Sequence, residues 1–286
     1  MIIKLPQADF SADNIGTITV PRTLSAFTIA AIEAGGRTDL TDLQKVALDD
    51  FFIAIGAGEA GATIASKMKY IFIPSIASSV ANALVNYKDS NFTVEKTPDS
   101  SVWSVSYKGL VAADSGSSKA ITMTLSTALL ANNACLLVFR GDMFGTTNPG
   151  NQHYLSLRGK TTDTKWLSFY QYQNTETAGH FTTGGLPSQW VSGGYDETYP
   201  TVNGYNLTSG GAKKIIGGVV ASVETAPSVD MSTEVAGQTV YAFGMSSKNT
   251  IPTAFAMLGQ GLTDSELTNL LPIIGRLRDA LLSVNL

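Results

Sequence analysis

The chain has 286 residues, 44% of them hydrophobic, which is enough to bury one large core or two small ones and excludes an intrinsically disordered chain. Only 15% of the residues are charged, against a usual value of about a quarter, and Ser, Thr, Asn and Gly fill the polar positions instead. The net charge of −4, with no Lys/Arg run beyond Lys213-Lys214, lacks the basic footprint that phosphate neutralisation requires, so nucleic acid is not an expected partner.

Residues 1 to about 22 read as an extended arm, with Gly16-Thr17-Ile18-Thr19-Val20 alternating like a strand that Pro21 ends. The start Met1-Ile2-Ile3-Lys4-Leu5-Pro6-Gln7 turns polar too soon for a signal peptide, and no window reaches the roughly eighteen apolar residues of a membrane span, so membrane insertion is not expected. Leu24, Phe27, Ala31 and Ala34 recur at helical spacing, and Gly35-Gly36 supplies the conformational freedom that ends a helix. Thr41-Asp42-Leu43-Gln44 has the spacing of a capping box and opens a second helix through Val46, Ala47 and Phe51.

From about Met68 the pattern has period two. Trp103, Val105 and Tyr107 alternate with serines; Ile121, Met123 and Leu125 alternate with threonines; Leu155 and Leu157 flank Ser156. Further strands are predicted at 135–139, 166–172, 215–223, 239–243 and 254–258. Many short strands with turn residues between them, and no helix between consecutive strands, predict a mainly β protein built as an antiparallel sandwich or jelly roll. The polar interval from Thr175 to Gly211 reads as a long loop of the kind that carries function. After Gly259-Gln260-Gly261, Thr263 and Glu266 form another capping box, and Leu267, Leu270, Ile274, Leu277 and Leu281 lie along one face of a closing helix. Pro272 predicts a break into two helical pieces, because it has no amide to donate.

Several motifs invite a chemical reading. Gly56-Ala57-Gly58-Glu59-Ala60-Gly61 is a literal G-x-G-x-x-G, but a dinucleotide site needs it between a strand and a helix with an acid some twenty residues on; here it follows a helical pattern, and no acid lies between Glu59 and Asp89. A helix-to-sheet linker is the plainer reading. The single Cys135 sits in an apolar run and permits no intrachain disulfide, and two histidines, His153 and His180, give no zinc cluster, so neither metal nor cofactor is expected. No G-x-S-x-G occurs. Asp196, Glu197, Glu224, Asp230 and Glu234 could supply a carboxylate pair for glycoside cleavage, although surface acids on loops are common. Arg140-Gly141-Asp142 spells an integrin-type tripeptide or simply a turn after a strand, and Asp114-Ser115-Gly116-Ser117 could ligate calcium or form a plain turn. Trp190, Tyr195, Tyr199 and Tyr205, set among Asp196 and Asn203, have the chemistry of a sugar site, where flat rings lie under the apolar face and amide or carboxylate groups meet the hydroxyls. The alternative is that these rings pin a long loop to the sandwich.

Three segments together resemble a family of tailed-bacteriophage tail or head fibre proteins with a concanavalin A-like (laminin G-like) lectin sandwich. They are the helix pair around Phe27 to Phe52; Ser66-Lys67-Met68-Lys69-Tyr70-Ile71-Phe72-Ile73-Pro74 with Ala83-Leu84-Val85-Asn86-Tyr87-Lys88-Asp89; and Phe255-Ala256-Met257-Leu258-Gly259-Gln260-Gly261-Leu262-Thr263-Asp264-Ser265-Glu266. Ala8-Asp9-Phe10-Ser11-Ala12-Asp13-Asn14-Ile15-Gly16 also resembles phage structural proteins, whereas about Asp99 to Gln238 matches no pattern of the family. The resemblance implies a non-enzymatic virion protein in three parts. Residues 1–66 would be an arm and helical attachment or oligomerisation region, 67–262 a lectin-like sandwich, and 263–286 a helix packed on the sandwich or in an oligomer interface. The expected partners are other virion proteins of capsid or tail, a host cell-surface glycan, and further copies of the chain in a trimer. An architectural head fibre or capsid decoration protein is the alternative, and a glycan-cleaving enzyme a third reading.

Overall fold

The computed structural model describes residues 22–112, 121–124, 133–142, 152–158, 166–172, 176–182, 189–191, 202–208, 211–224, 239–242 and 252–282. Its elements are helices α1 (Ala26–Gly35), α2 (Asp42–Ile55), α3 (Ile64–Lys67) and α4 (Asp264–Leu282), and strands β1 (Met68–Phe72), β2 (Trp103–Ser106), β3 (Gly109–Ala112), β4 (Ile121–Thr124), β5 (Ala134–Arg140), β6 (Gln152–Arg158), β7 (Trp166–Tyr172), β8 (Glu176–Thr182), β9 (Gln189–Val191), β10 (Val202–Thr208), β11 (Gly211–Ile216), β12 (Val219–Glu224), β13 (Thr239–Ala242) and β14 (Thr253–Gly259).

The fold is an antiparallel β-sandwich with a layer of helices on one side. One sheet has eight strands in the order β12-β11-β10-β5-β14-β3-β2, with β1 also paired to β14; the other runs β4-β13-β6-β7-β8-β9. Period two decides what each sheet face meets. On β5, Ala134, Leu136 and Val138 join Tyr70, Phe72, Leu258 and the six-stranded sheet's Ile121 and Met123 in the core between the sheets. The intervening Cys135, Leu137 and Phe139 join Phe51, Phe255, Leu270 and Ile274 in the core beneath the helices. Both faces of β5 and β14 are therefore buried along their whole length. Phe255 is stacked on Phe139 at 5.1 Å and meets Phe51 of α2 edge-on at 5.5 Å, which ties the helix layer to the middle of the sheet.

The capping residues act as the spacing predicts. Thr41 Oγ1 accepts from the Gln44 amide while Gln44 Oε1 accepts from the Thr41 amide, and Thr263 and Glu266 repeat the exchange. In α1 the cap is shared between helices. Ser25 Oγ accepts from the Thr28 amide, and the buried Asp49 of α2 accepts from the Ser25 amide at 2.9 Å and from Thr28 Oγ1 at 2.8 Å. The outer edge of β1 is completed by Asn86, whose Oδ1 accepts from the Ile71 amide and whose Nδ2 donates to the Lys69 carbonyl.

Three expectations need correction. Pro272 lies inside one continuous helix, because the loss of a single amide is outweighed by Leu267, Leu270, Leu271, Ile274, Leu277 and Leu281 buried on both sides of it. The run 215–223 is a hairpin: Gly217 and Gly218 both take positive φ, which suits a two-residue turn between β11 and β12. The interval 175–211 is not one loop, since β8, β9 and β10 lie within it; β10 lacks strong alternation in the sequence because polar Asn203 and Asn206 occupy buried positions in it. The helices α1 and α2 share one apolar core with the sheet and α4.

Lys67, ending α3, donates to both carboxylate oxygens of Glu266 at 2.6 and 2.7 Å, joining the start of the sheet to the start of α4. Burial alone would raise the Glu266 pKa, but the hydrogen bonds from Lys67 and Thr263 outweigh it and hold it below the ordinary carboxylate value of 4.5. A carboxyl with a lower pKa folded than unfolded contributes its full stability above the unfolded value and loses it as pH falls through the folded value. We expect Glu266→Gln to be less stable than wild type at neutral pH and the gap to close as the pH falls through and below the ordinary carboxylate value of 4.5. Urea midpoints measured across that window would show it, and parallel curves would mean that the ion pair contributes nothing.

Candidate functional site

The six residues with sugar-site chemistry do not come together in a single loop. Trp190 is on β9, paired with His180 of β8 at the edge of the six-stranded sheet, and Tyr195, Asp196 and Tyr199 lie outside the described residues. Asn203 and Tyr205 are on β10 in the other sheet, each only 2% exposed. Asn203 Oδ1 accepts from the Gly217 amide at 3.2 Å, and Tyr205 packs in the core between the sheets. Both are corrected from loop contacts to structural positions. Asn206 is structural as well: it exchanges two 2.7 Å hydrogen bonds with the backbone of Leu262, anchoring the approach to α4.

Some of the remaining motifs also acquire defined places. Arg140 is 1% exposed, Asp142 is hydrogen-bonded by Lys108 at 2.6 Å, and a side chain added at Gly141 would stand 1.5 Å from the Lys108 carbonyl oxygen. The tripeptide is therefore a packed strand end, not a displayed recognition loop. Cys135 is fully buried, and that burial, with the Glu266 charge adding to it, pushes its thiol pKa up and away from thiolate chemistry. No group of three or more His, Cys, Asp or Glu side chains among the described residues could hold a metal ion, and no described helix is long and apolar enough to cross a membrane. The segment Asp114–Ser117 and the carboxylates Asp196, Glu197, Asp230 and Glu234 lie outside the described residues, and Glu224 ends β12.

The G-x-G-x-x-G run closes α2 rather than following a strand. Gly56 is its left-handed cap, with its amide donating to the Ile53 carbonyl, so the geometry of a dinucleotide fingerprint is absent here. What this turn does is wall a groove of about 480 Å³ whose lining includes Phe27 and Ala30 of α1, Ile53 of α2, Ala57, Glu59 and Phe92. Phe27 packs on Phe52 at 5.0 Å and on Phe92 at 5.1 Å, and Phe92 meets Tyr87 edge-on at 6.2 Å. Phe92 takes φ 45°, an uncommon conformation for a bulky side chain, held by this ring packing. A second recess of about 440 Å³ lies across Gly58, Glu59 and Ser90, lined also by Thr63, Lys88 and Asp89. With an apolar aromatic floor and a carboxylate and hydroxyls at its rim, the groove suits the docking of an apolar chain or ring. Sequence reading missed it because Phe92 follows Gly56 by a long interval; the signal was the surplus of apolar residues in α1, which has Glu33 as its single charge.

No protein-family model matches the chain, and no curated protein does. Among solved structures, a Trypanosoma rangeli sialidase in complex with 2,3-difluorosialic acid (covalent intermediate) is similar at a TM-score of 0.53 and 11% identity, over 82% of this chain and 39% of that one. A Ruminococcus gnavus IT-sialidase CBM40 bound to α2,6 sialyllactose aligns over 55% of this chain and 99% of its own, at 11% identity and a TM-score of 0.36. A leech intramolecular trans-sialidase gives 9% identity and a TM-score of 0.35, over 54% and 27%. The chain thus spans about two fifths of the length of the first sialidase. At these identities, only the first likeness bears on structure, and it bears on the fold: a mainly β, antiparallel sandwich.

Gly141→Ala is expected to cost at least about 2 kcal/mol, because its new methyl meets backbone rather than a movable side chain. Urea unfolding of the two proteins measures this, and equal midpoints would show that the Lys108 turn can shift freely.

Proposed function

We propose that this chain is a bacteriophage virion structural protein, a fibre whose lectin-like sandwich recognises a host-surface glycan without cleaving it. The observation that carries the reading is the one-sided layering of the sandwich. The helices that resemble the phage attachment region cover one face of the eight-stranded sheet, while the six-stranded sheet, with Trp190 on its edge strand β9, lies on the other side of the inter-sheet core. Attachment and recognition can then occupy opposite sides of one rigid body. The fold likeness to a sialidase whose complex holds a sialic acid analogue supports a sugar as the ligand class. Many copies on a particle make weak sites sufficient, because tethered sites rebind at high effective concentration.

A second reading, an architectural head fibre or capsid decoration protein, is favoured by the burial of Asn203 and Tyr205, which removes two of the six residues considered for sugar contact. Both readings place the protein in the virion among capsid or tail proteins, and both allow a homotrimer.

Fluorescently labelled protein is expected to bind host bacteria and to lose at least about tenfold of that binding after periodate oxidation of their surface glycans, as multivalent attachment to sugar requires. Trp190→Ala should weaken the same binding with an unchanged circular dichroism spectrum, and mass spectrometry should find the incubated polysaccharide undegraded. Absence of binding to any host would favour the architectural reading, and shortened polysaccharide would overturn the non-enzymatic one. Native mass spectrometry should give three times the chain mass; a monomer would remove the trimer.

A further inference from the structure

The outward face of α2 is apolar where a surface helix ordinarily carries charge. Leu43 is 65% exposed and Ile53 is 52% exposed, with half-buried Val46 between them. Leu43, Val46, Asp50 and Ile53 follow one another at spacings of three, four and three, which sets them in one stripe along about 15 Å of helix. In heptad terms Leu43 and Asp50 stand at a, and Val46 and Ile53 at d. We propose that this stripe is the seam at which three copies of the chain meet, α2 beside α2 in parallel about a threefold axis. The inference rests on the homotrimer of the proposed function and names the surface that makes it.

The spacing itself points to another copy as the partner. Chains set in parallel bring a level with a and d level with d, so each apolar side chain of the stripe meets its own kind. Leu at a with β-branched Val or Ile at d favours three or more strands over two. Charge complementarity fixes the direction. Arg22 is paired with Asp49 at 3.0 Å and with Asp50, so its guanidinium lies beside the stripe at the level of Asp50. In the parallel order the three Asp50 carboxylates arrive at one layer together with three Arg22 side chains, each 38% exposed and with donors to spare for a neighbour. The antiparallel order would set Asp50 of one copy against Val46 of the next, leaving a carboxylate against an apolar side chain. Finally, α2 needs no partner in order to form. Its capping box and the burial of Phe51, Phe52 and Ile55 hold it in place before a second chain arrives, so a seam of four layers does not carry the cost of ordering a free helix.

Cross-linking of the full-length chain tests the seam. With copper phenanthroline in air, Ile53→Cys is expected to form disulfide-linked pairs of chains, because equivalent d positions of a parallel seam lie within disulfide reach. Val219→Cys, exposed on the hairpin between β11 and β12, should stay unlinked, and native Cys135 is buried and contributes no link. Ile53→Asp, at a half-exposed position, is expected to raise the concentration needed for half-assembly at least about tenfold with an unchanged circular dichroism spectrum. A three-chain mass that persists in Ile53→Asp, with no disulfide in Ile53→Cys, would overturn the α2 seam and leave the homotrimer standing. Disulfide that forms only when Leu43→Cys and Ile53→Cys chains are mixed would overturn the parallel order, and a four-chain mass the threefold count. A single-chain mass for the wild type at every concentration would remove the homotrimer and the seam with it.

Discussion

The pairing of β14 with β5 is the constraint on which the rest of the structure depends. Every residue of both strands is buried, so each must be apolar or hydrogen-bonded on two faces at once. That double burial forces a layer onto each side of the sheet: the six-stranded sheet on one, the helices on the other. Each large side chain buried this way contributes about 1.5–3 kcal/mol relative to exposure, and the rings of Phe51, Phe255 and Phe139 add a specific geometry. Phe255 fixes where α2 sits, α2 positions Asp49, and Asp49 holds the amide and hydroxyl that begin α1. A groove at the surface is thus positioned by a stack of rings at the centre.

Polar groups in this core are placed where the chain must change direction. Asn206 orders the turn into α4, Asn86 finishes the open edge of β1, and Asn203 holds the turn between β11 and β12. Their amides supply both donor and acceptor, which lets them stand in for a missing strand. The sides of the molecule are correspondingly unequal. The helical side presents apolar surface around α1, whereas polar positions inside the sheets serve structure.

Much of the architecture was legible in the sequence, for identifiable reasons. Capping boxes at Thr41 and Thr263 depend on hydrogen bonds three residues apart, and the alternation at Trp103–Tyr107 or the apolar run at Cys135–Phe139 reflects burial decided strand by strand. Where local pattern and burial diverge, reading fails. The strand Val202–Thr208 looks like loop because two asparagines are buried in it, and a proline in the closing helix looks like a break because the packing that overrides it comes from distant residues. The same cause defeats the site. Asn203 and Tyr205 have ligand-like chemistry in sequence but point into the fold, while Phe27, Ile53 and Phe92 form a groove only once the helices are folded onto the sheet.

The place of β14 has a further consequence during synthesis. This strand is translated after all the other strands, yet it lies inside the sheet between β5 and β1. Until it emerges, β5 has one paired edge, and Phe51, Leu137 and Phe139 lack the ring and side chains that cover them. A nascent chain in that condition displays apolar surface and an open edge, the features that favour association with other nascent chains or with a chaperone. Insertion of β14 between two waiting strands then completes both cores together. The separation in sequence of its contacts implies slow, cooperative folding, with little stable structure in any chain that stops short of this strand.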